Sequence, residues 1–154
     1  MHYSIDKFET GYLMVNTWVF PLSEKSVTVI DPGGFDPELS RYLDKLNPTH
    51  LEIMLTHGHF DHVGGLPALV RKHPDYRLWI HENDAAYLGV VGTETHLKSF
   101  KPLHAEKLIE PLEKNPLPEP TDFYKEGDSV NGFTVLYTPG HTQGPICLWN
   151  KEAG

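Results

Sequence analysis

Between Ser26 and His57 the chain places two apolar runs on either side of one amphipathic segment, and that order dictates how the runs must pair. "SVTVID" (26–31) is β-branched and alternating, as half-buried strands are. "HLEIMLTH" (50–57) is nearly continuous in apolar residues, which marks a strand covered on both faces. The link, "FDPELSRYLDKLNP", predicts a helix with Asp36 as N-cap and Pro37 at its first position. Leu39, Tyr42, Leu43 and Leu46 fall at helical spacing, and Asn47-Pro48 ends the run. Strand, helix and strand with short links predict parallel pairing and a layered α/β fold.

The remaining elements are arranged around that unit. "YLMVNTWVF" (12–20) predicts an earlier strand, "LPALVRKHP" a short helix, "YRLWIH" another strand and "ENDAAYL" a brief helix. Residues 92–122 carry Pro111, Pro116, Pro118 and Pro120 and predict a loop with at most one short helix, around "AEKLIEPLEK". A lid, a substrate wall with Phe123 and Tyr124 nearby, and a plain surface excursion all fit a loop of that length. "SVNGFTVLY" predicts a hairpin turning at Asn131-Gly132, with Phe133, Val135 and Tyr137 on one face. "PICLWN" predicts a last strand, with Cys147 as a small core residue.

A chain of 154 residues is about one domain. The net charge of −8 argues against a nucleic-acid footprint, and the short basic piece "VRKH" is expected to be a solvated helix face. A single cysteine excludes both an internal disulfide and a cysteine-based zinc site. The first residues lack a basic and apolar leader, and no apolar run approaches the roughly 20 residues of a membrane span, so a cytoplasmic protein is expected.

"THGHFDHVGG" (56–65) crowds His57, His59, Asp61 and His62 into six positions. On an extended backbone His57 and His59 point the same way and can reach one ion together. Asp61 and His62 point apart unless the chain turns between them. Gly58 permits a tight path, and Gly64 and Gly65 permit a close helix approach. Imidazole with carboxylate suits Zn²⁺, Fe or Mn²⁺, and two neighbouring ions can share such a set. His141, in "TPGHTQG", would complete a three-histidine site that leaves a position for water. Asp31, in "VIDPGG", is either a carboxylate that orients a ligand or an ordinary Asp-Pro-Gly turn. His2, His50, His73, His96 and His104 read as ordinary surface or core histidines, and His81 stays open between the two readings.

"THGHFDHVGG" resembles the H-x-H-x-D-H signature of the metallo-β-lactamase superfamily. "VIDPGG" and "TPGHTQG" stand where that superfamily has its acidic strand end and its third-histidine turn, and the three together are specific. The pattern most resembles the small glyoxalase II-like hydrolases. The resemblance implies an αββα sandwich with a dinuclear zinc site at one edge, Fe or Mn being alternatives. It assigns His57, His59 and His141 to one ion and Asp61 and His62 to a second, with Asp31 beside them. It also implies hydrolysis of a small thioester or related acyl substrate by a metal-bound hydroxide, with Asp61 orienting the nucleophile.

The family pattern continues with a strand ending in Gly-Asp and a further histidine, and neither follows "LWNKEAG". Residues 1–154 are therefore expected to be the N-terminal portion of a metallo-β-lactamase-like domain, incomplete at its C-terminus and weakly active or inactive alone. An unfinished sheet edge predicts self-association into a homo-oligomer. Two other readings remain at this point: an iron-dependent sulfur dioxygenase sharing the signature, and a non-catalytic metal-binding or self-associating fragment.

Overall fold

The computed structural model of the chain describes residues 5–151. It opens with β1 (Asp6–Thr10), β2 (Val15–Pro21), β3 (Ser26–Ile30), α1 (Pro37–Leu46) and β4 (His50–Met54). The short helices α2 (Phe60–Val63) and α3 (Leu66–Lys72) lead to β5 (Tyr76–His81), then a 3-10 helix over Glu82–Tyr87. After α4 (Gly89–Phe100) and α5 (Glu110–Lys114) come β6 (Asp122–Tyr124), β7 (Ser129–Val130), β8 (Phe133–Tyr137) and β9 (Ile146–Trp149).

The predicted strand–helix–strand unit sits at the centre of a six-stranded sheet ordered β1 to β6. β3, β4, β5 and β6 run parallel, with Ile30 opposite Met54 and Met54 opposite Trp79, while β1, β2 and β3 pair antiparallel. One face of this sheet packs Val29, Leu51, Ile53 and Leu78 against Leu39 and Leu43 of α1, Leu66 and Leu69 of α3, and Leu112 of α5. The other face packs Phe20, Ile30, Met54 and Tyr124 against Val130, Phe133, Val135 and Ile146 of a three-stranded sheet, β7 to β9. β4 is thus covered on both sides, as its continuous apolar run requires. Each such aliphatic side chain contributes about 1.5–3 kcal/mol through burial, so the middle sheet anchors both layers. The described residues stack as helices, large sheet and small sheet. Among the described residues the helices pack on the large sheet, and the outer helical layer of the expected αββα sandwich is not seen.

Several expectations need correction. "YLMVNTWVF" begins as a strand only at Val15, because Gly11 to Met14 make a hairpin turn with positive φ at both ends (71° and 52°). A Cβ on Gly11 would lie 2.6 Å from the Gly33 carbonyl oxygen, so the turn packs where only glycine fits. β1, which pairs with β2 across that turn, had no predicted counterpart. Asp36 occupies the N-cap position of α1, but its carboxylate accepts the Gly11 N–H at 2.8 Å instead of capping the helix. The loop predicted over 92–122 begins inside the twelve-residue α4 (Gly89–Phe100), which buries Thr93 and His96; the prolines that argued for a loop all lie beyond it. α5 falls inside the predicted "AEKLIEPLEK". Tyr124 is fully buried and stacks on Trp79, so it belongs to the core and not to a substrate wall. Cys147 is exposed, opposite Leu136 on the outer side of the small sheet. His2 lies outside the described residues. No helix among them is long and apolar enough to cross a membrane.

Candidate metal centre

The parallel pairing of β3 and β4 brings their C-terminal ends side by side, and the ligand-type residues begin there. Asp31 leaves β3 in the left-handed region (φ 49°) and is buried. One carboxylate oxygen accepts the Thr56 backbone N–H at 2.7 Å. The other accepts the Thr56 hydroxyl at 2.6 Å and lies 2.9 Å from Nδ1 of His62. Asp31 is therefore both a turn residue and a carboxylate that orients an imidazole, which joins the two readings its sequence left open. Its hydrogen bond leaves Nε2 of His62 facing Asp61 Oδ2 at 3.5 Å.

Asp61 and His62 do not point apart, because the chain turns into α2 at Phe60. The turn is possible only because glycines line the approach. A Cβ on Gly64 would lie 2.8 Å from the Gly33 carbonyl oxygen, and one on Gly65 would lie 2.5 Å from the Gly34 carbonyl carbon. A Cβ on Gly58 would strike the Tyr87 side chain at 2.5 Å.

His57, His59 and His141 converge: each offers a ring nitrogen, and these nitrogens lie within 4.8 Å of one another. His59 Nδ1 and His141 Nε2 face each other at 2.9 Å. His57 is buried, with its ring 4.9 Å from that of His141 and 4.1 Å from that of His62. Its Nδ1 is 3.2 Å from the Thr56 hydroxyl, and its Nε2 is buried with no partner. Burial, aided by the neighbouring His62, pushes the His57 pKa down to about 4. Burial and His141 lower that of His59. Burial also pulls on His62, but the hydrogen bond and charge of Asp31 outweigh it and the pKa is raised. Burial thus disfavours the charged form of His57 and His59, and neutral imidazole is the state in which histidine binds metal. His59 and His141 can share a proton between their facing nitrogens, but the orphaned buried Nε2 of His57 is costly to leave without a partner. The donor set fits a borderline or hard ion and, lacking thiolate, does not single out zinc.

The remaining histidines play other parts. His81 accepts the Asn83 N–H at Nδ1 (3.2 Å) and stacks on Tyr137 with ring centroids 4.4 Å apart, which settles it as structural. His50 binds Asp75 and Glu52 at the far end of β4, and His96 binds the Tyr87 carbonyl. Sequence reasoning missed Asp84, in "ENDAAYL". It is completely buried beside the cluster, and its carboxylate receives hydrogen bonds from Gly58, Thr142 and Gly144. A lone acid at the start of a short helix gives no signal for such a role.

The sequence profile of the metallo-beta-lactamase superfamily matches residues 10–154. The chain belongs to that superfamily. Within it, a probable metallo-hydrolase from Bacillus subtilis, YqgX, is 28% identical over 152 residues, which is 96% of this chain and 65% of that protein. A hydroxyacylglutathione hydrolase from Vibrio parahaemolyticus is 32% identical over 147 residues, 93% of this chain and 44% of that protein. The chain thus spans about half to two thirds of the length of these superfamily relatives. The crystal structure of TTHA1623 in a di-iron-bound form superposes with a TM-score of 0.71 at 25% identity, covering 96% of this chain and 68% of that one. The layered sheets are the superfamily's fold, and the histidine cluster at the sheet ends is a group that could hold a metal ion.

Proposed function

We propose that this chain carries the metal centre of a hydrolase that cleaves a thioester or related acyl substrate. The observation that supports this most is the buried, unpartnered Nε2 of His57 inside the converging trio. In this reading His57, His59 and His141 hold one ion, and Asp61 and His62 contribute to a second. When bound, the metal supplies Lewis-acid polarisation of the acyl carbonyl and lowers the pKa of water. The protein's own part is to keep His57 and His59 unprotonated by burial and to fix the His62 ring through Asp31. Asp61, with its side chain 30% exposed, stands on the open side as the base that takes a proton from the attacking water. The exposed His141 marks the side from which a small substrate enters. Thioester chemistry is supported by the 32% identity to a hydroxyacylglutathione hydrolase, whose substrate name describes an acyl group on a thiol.

Metal content measured by plasma mass spectrometry, together with free-thiol release from a hydroxyacylglutathione, tests the reading. Metal on the chain that disappears in His57→Ala, with thiol release that tracks metal content, is the expected result. Metal that stays on His57→Ala, or thiol release that persists unchanged once the metal is stripped, would overturn the reading. A second reading, an iron-dependent sulfur dioxygenase, draws on the di-iron-bound neighbour. It predicts iron as the resident metal and oxygen consumption with a persulfide substrate.

A further inference from the structure

His141 is the one member of the trio that the motif does not supply. It stands on an exposed turn more than eighty positions from His57, and something must hold that turn in place. The hydrogen bonds inside the turn, Thr138 N–H to the Pro145 carbonyl (2.9 Å) and Gly140 N–H to the Thr142 carbonyl (3.2 Å), shape it. Ile146 N–H to the Thr56 carbonyl (2.9 Å) ties the strand after it to the motif segment, but none of these bonds fixes the residues next to His141 to the His57–His59 loop. Asp84 does. One of its carboxylate oxygens accepts the Gly144 N–H at 2.7 Å. The other accepts both the Thr142 hydroxyl at 2.6 Å and the Gly58 N–H at 3.0 Å. Gly58 lies between His57 and His59, and Thr142 follows His141, so one side chain joins both parts of the trio through their immediate neighbours. The contact is close: a Cβ on Gly144 would lie 3.0 Å from the Asp84 Cβ.

Asp84 is also a fully buried carboxylate whose three donors are neutral, and among the described residues no lysine or arginine is seen to pair with it. A buried charge without a counter-ion is costly to keep, and here it stands next to a cluster built for a cation.

We propose that Asp84 is a positioning residue for the metal site: it clamps the His141 turn onto the His57–His59 loop and adds a fixed negative charge beside the ion. It touches neither substrate nor metal. The inference rests on reading His57, His59 and His141 as one metal site. Asn at this position keeps the volume but places an N–H₂ against at least one of the backbone N–H donors, and it removes the charge. Thr142→Val removes one arm of the clamp and leaves the charge in place.

The test is a four-protein cycle of wild type, Asp84→Asn, Thr142→Val and the double variant, each freed of metal and titrated with Co²⁺ against a chromophoric chelator. Far-UV circular dichroism confirms that each is folded. Asp84→Asn is expected to weaken Co²⁺ binding about 10–100-fold, the range seen when partners of metal ligands are lost. Thr142→Val is expected to weaken it less, and the double variant no more than Asp84→Asn alone, because the threonine acts through the same carboxylate. Folded Asp84→Asn that binds Co²⁺ like wild type would overturn the proposal, leaving Asp84 a plain structural residue. Amide exchange in the metal-free wild type and Thr142→Val provides a second readout. Slow exchange at Gly58 and Gly144 in wild type, faster at both in Thr142→Val, supports the clamp; fast exchange in wild type overturns it. If wild type takes up no Co²⁺ while those amides are protected, the metal-site reading fails and the clamp stands.

Discussion

His57 and His141 meet in one cluster but are held by different kinds of structure. His57 leaves a strand buried on both faces, and its loop is fixed by Asp31, Thr56 and glycine contacts within one stretch of parallel sheet. His141 stands exposed on a turn between two strands of the smaller sheet, and its ties to the motif are the Asp84 carboxylate, the Ile146–Thr56 backbone bond and its own contact with His59. The first half of the site is over-determined by local packing. The second depends on a few long-range hydrogen bonds. Damage to the first should therefore cost stability and metal together, while damage to the second should cost metal affinity while the fold persists.

The largest effect should come from the packed half. His57→Ala removes the buried nitrogen around which the trio closes and should weaken metal binding more than the roughly 100-fold limit typical of supporting residues. His141→Ala should cost less, because water can replace a ligand on the open side. Chelator competition on both variants checks the order, and equal losses would break the comparison.

Glycines sharpen it next. Gly65→Ala, in the packed half, forces a Cβ to within 2.5 Å of the Gly34 backbone and should destabilise the fold by about 1–3 kcal/mol. Gly140→Ala, in the His141 turn, meets nothing within 4 Å and keeps only the backbone cost of its φ of 151°. Urea unfolding should show a clearly smaller loss for Gly140→Ala.

The same division governs what the sequence makes legible. β3, α1 and β4 are written in local periodicity, and the H-x-H-x-D-H run follows one strand, so parallel pairing, the histidine crowding and the Asp31 contact were all within reach. What was not legible depends on partners far along the chain. β1 is polar and alternating, and it becomes a strand by pairing with β2. α4 has glycines and β-branched residues of low helix propensity, and it holds through tertiary contacts such as His96 to the Tyr87 carbonyl. Asp36 and Asp84 both read as helix-start residues, yet each spends its carboxylate on another segment. Composition along one stretch cannot reveal such a choice.

A pH titration addresses the buried half. The folded-state pKa of His57, about 4, lies below the ordinary 6.5, so the folded state resists protonation more than the unfolded chain does. The stability of the metal-free protein should therefore be complete above pH 6.5 and should fall as pH drops from there towards about 4. His57→Gln should flatten that slope in urea unfolding measured between pH 7 and about 4.5.

The smallest effect is a difference between two substitutions at one residue, and it separates what Asp31 does as an acceptor from what it does as a turn. Asp31→Asn removes the carboxylate that receives Thr56 and faces His62, but asparagine tolerates the left-handed backbone, so its cost of about 2 kcal/mol reports the lost acceptor. Asp31→Ala loses both oxygens where asparagine keeps one, and must also hold a φ of 49° without a side chain that favours it. It should be less stable than Asp31→Asn by about a further 1 kcal/mol. Chemical denaturation of the two metal-free variants measures the increment. A value near zero would mean that the turn relaxes once the carboxylate is gone. The Asp31 hydrogen bonds would then hold the backbone in its strained shape, and the packed half would owe its rigidity to that one side chain more than to the glycine contacts around it.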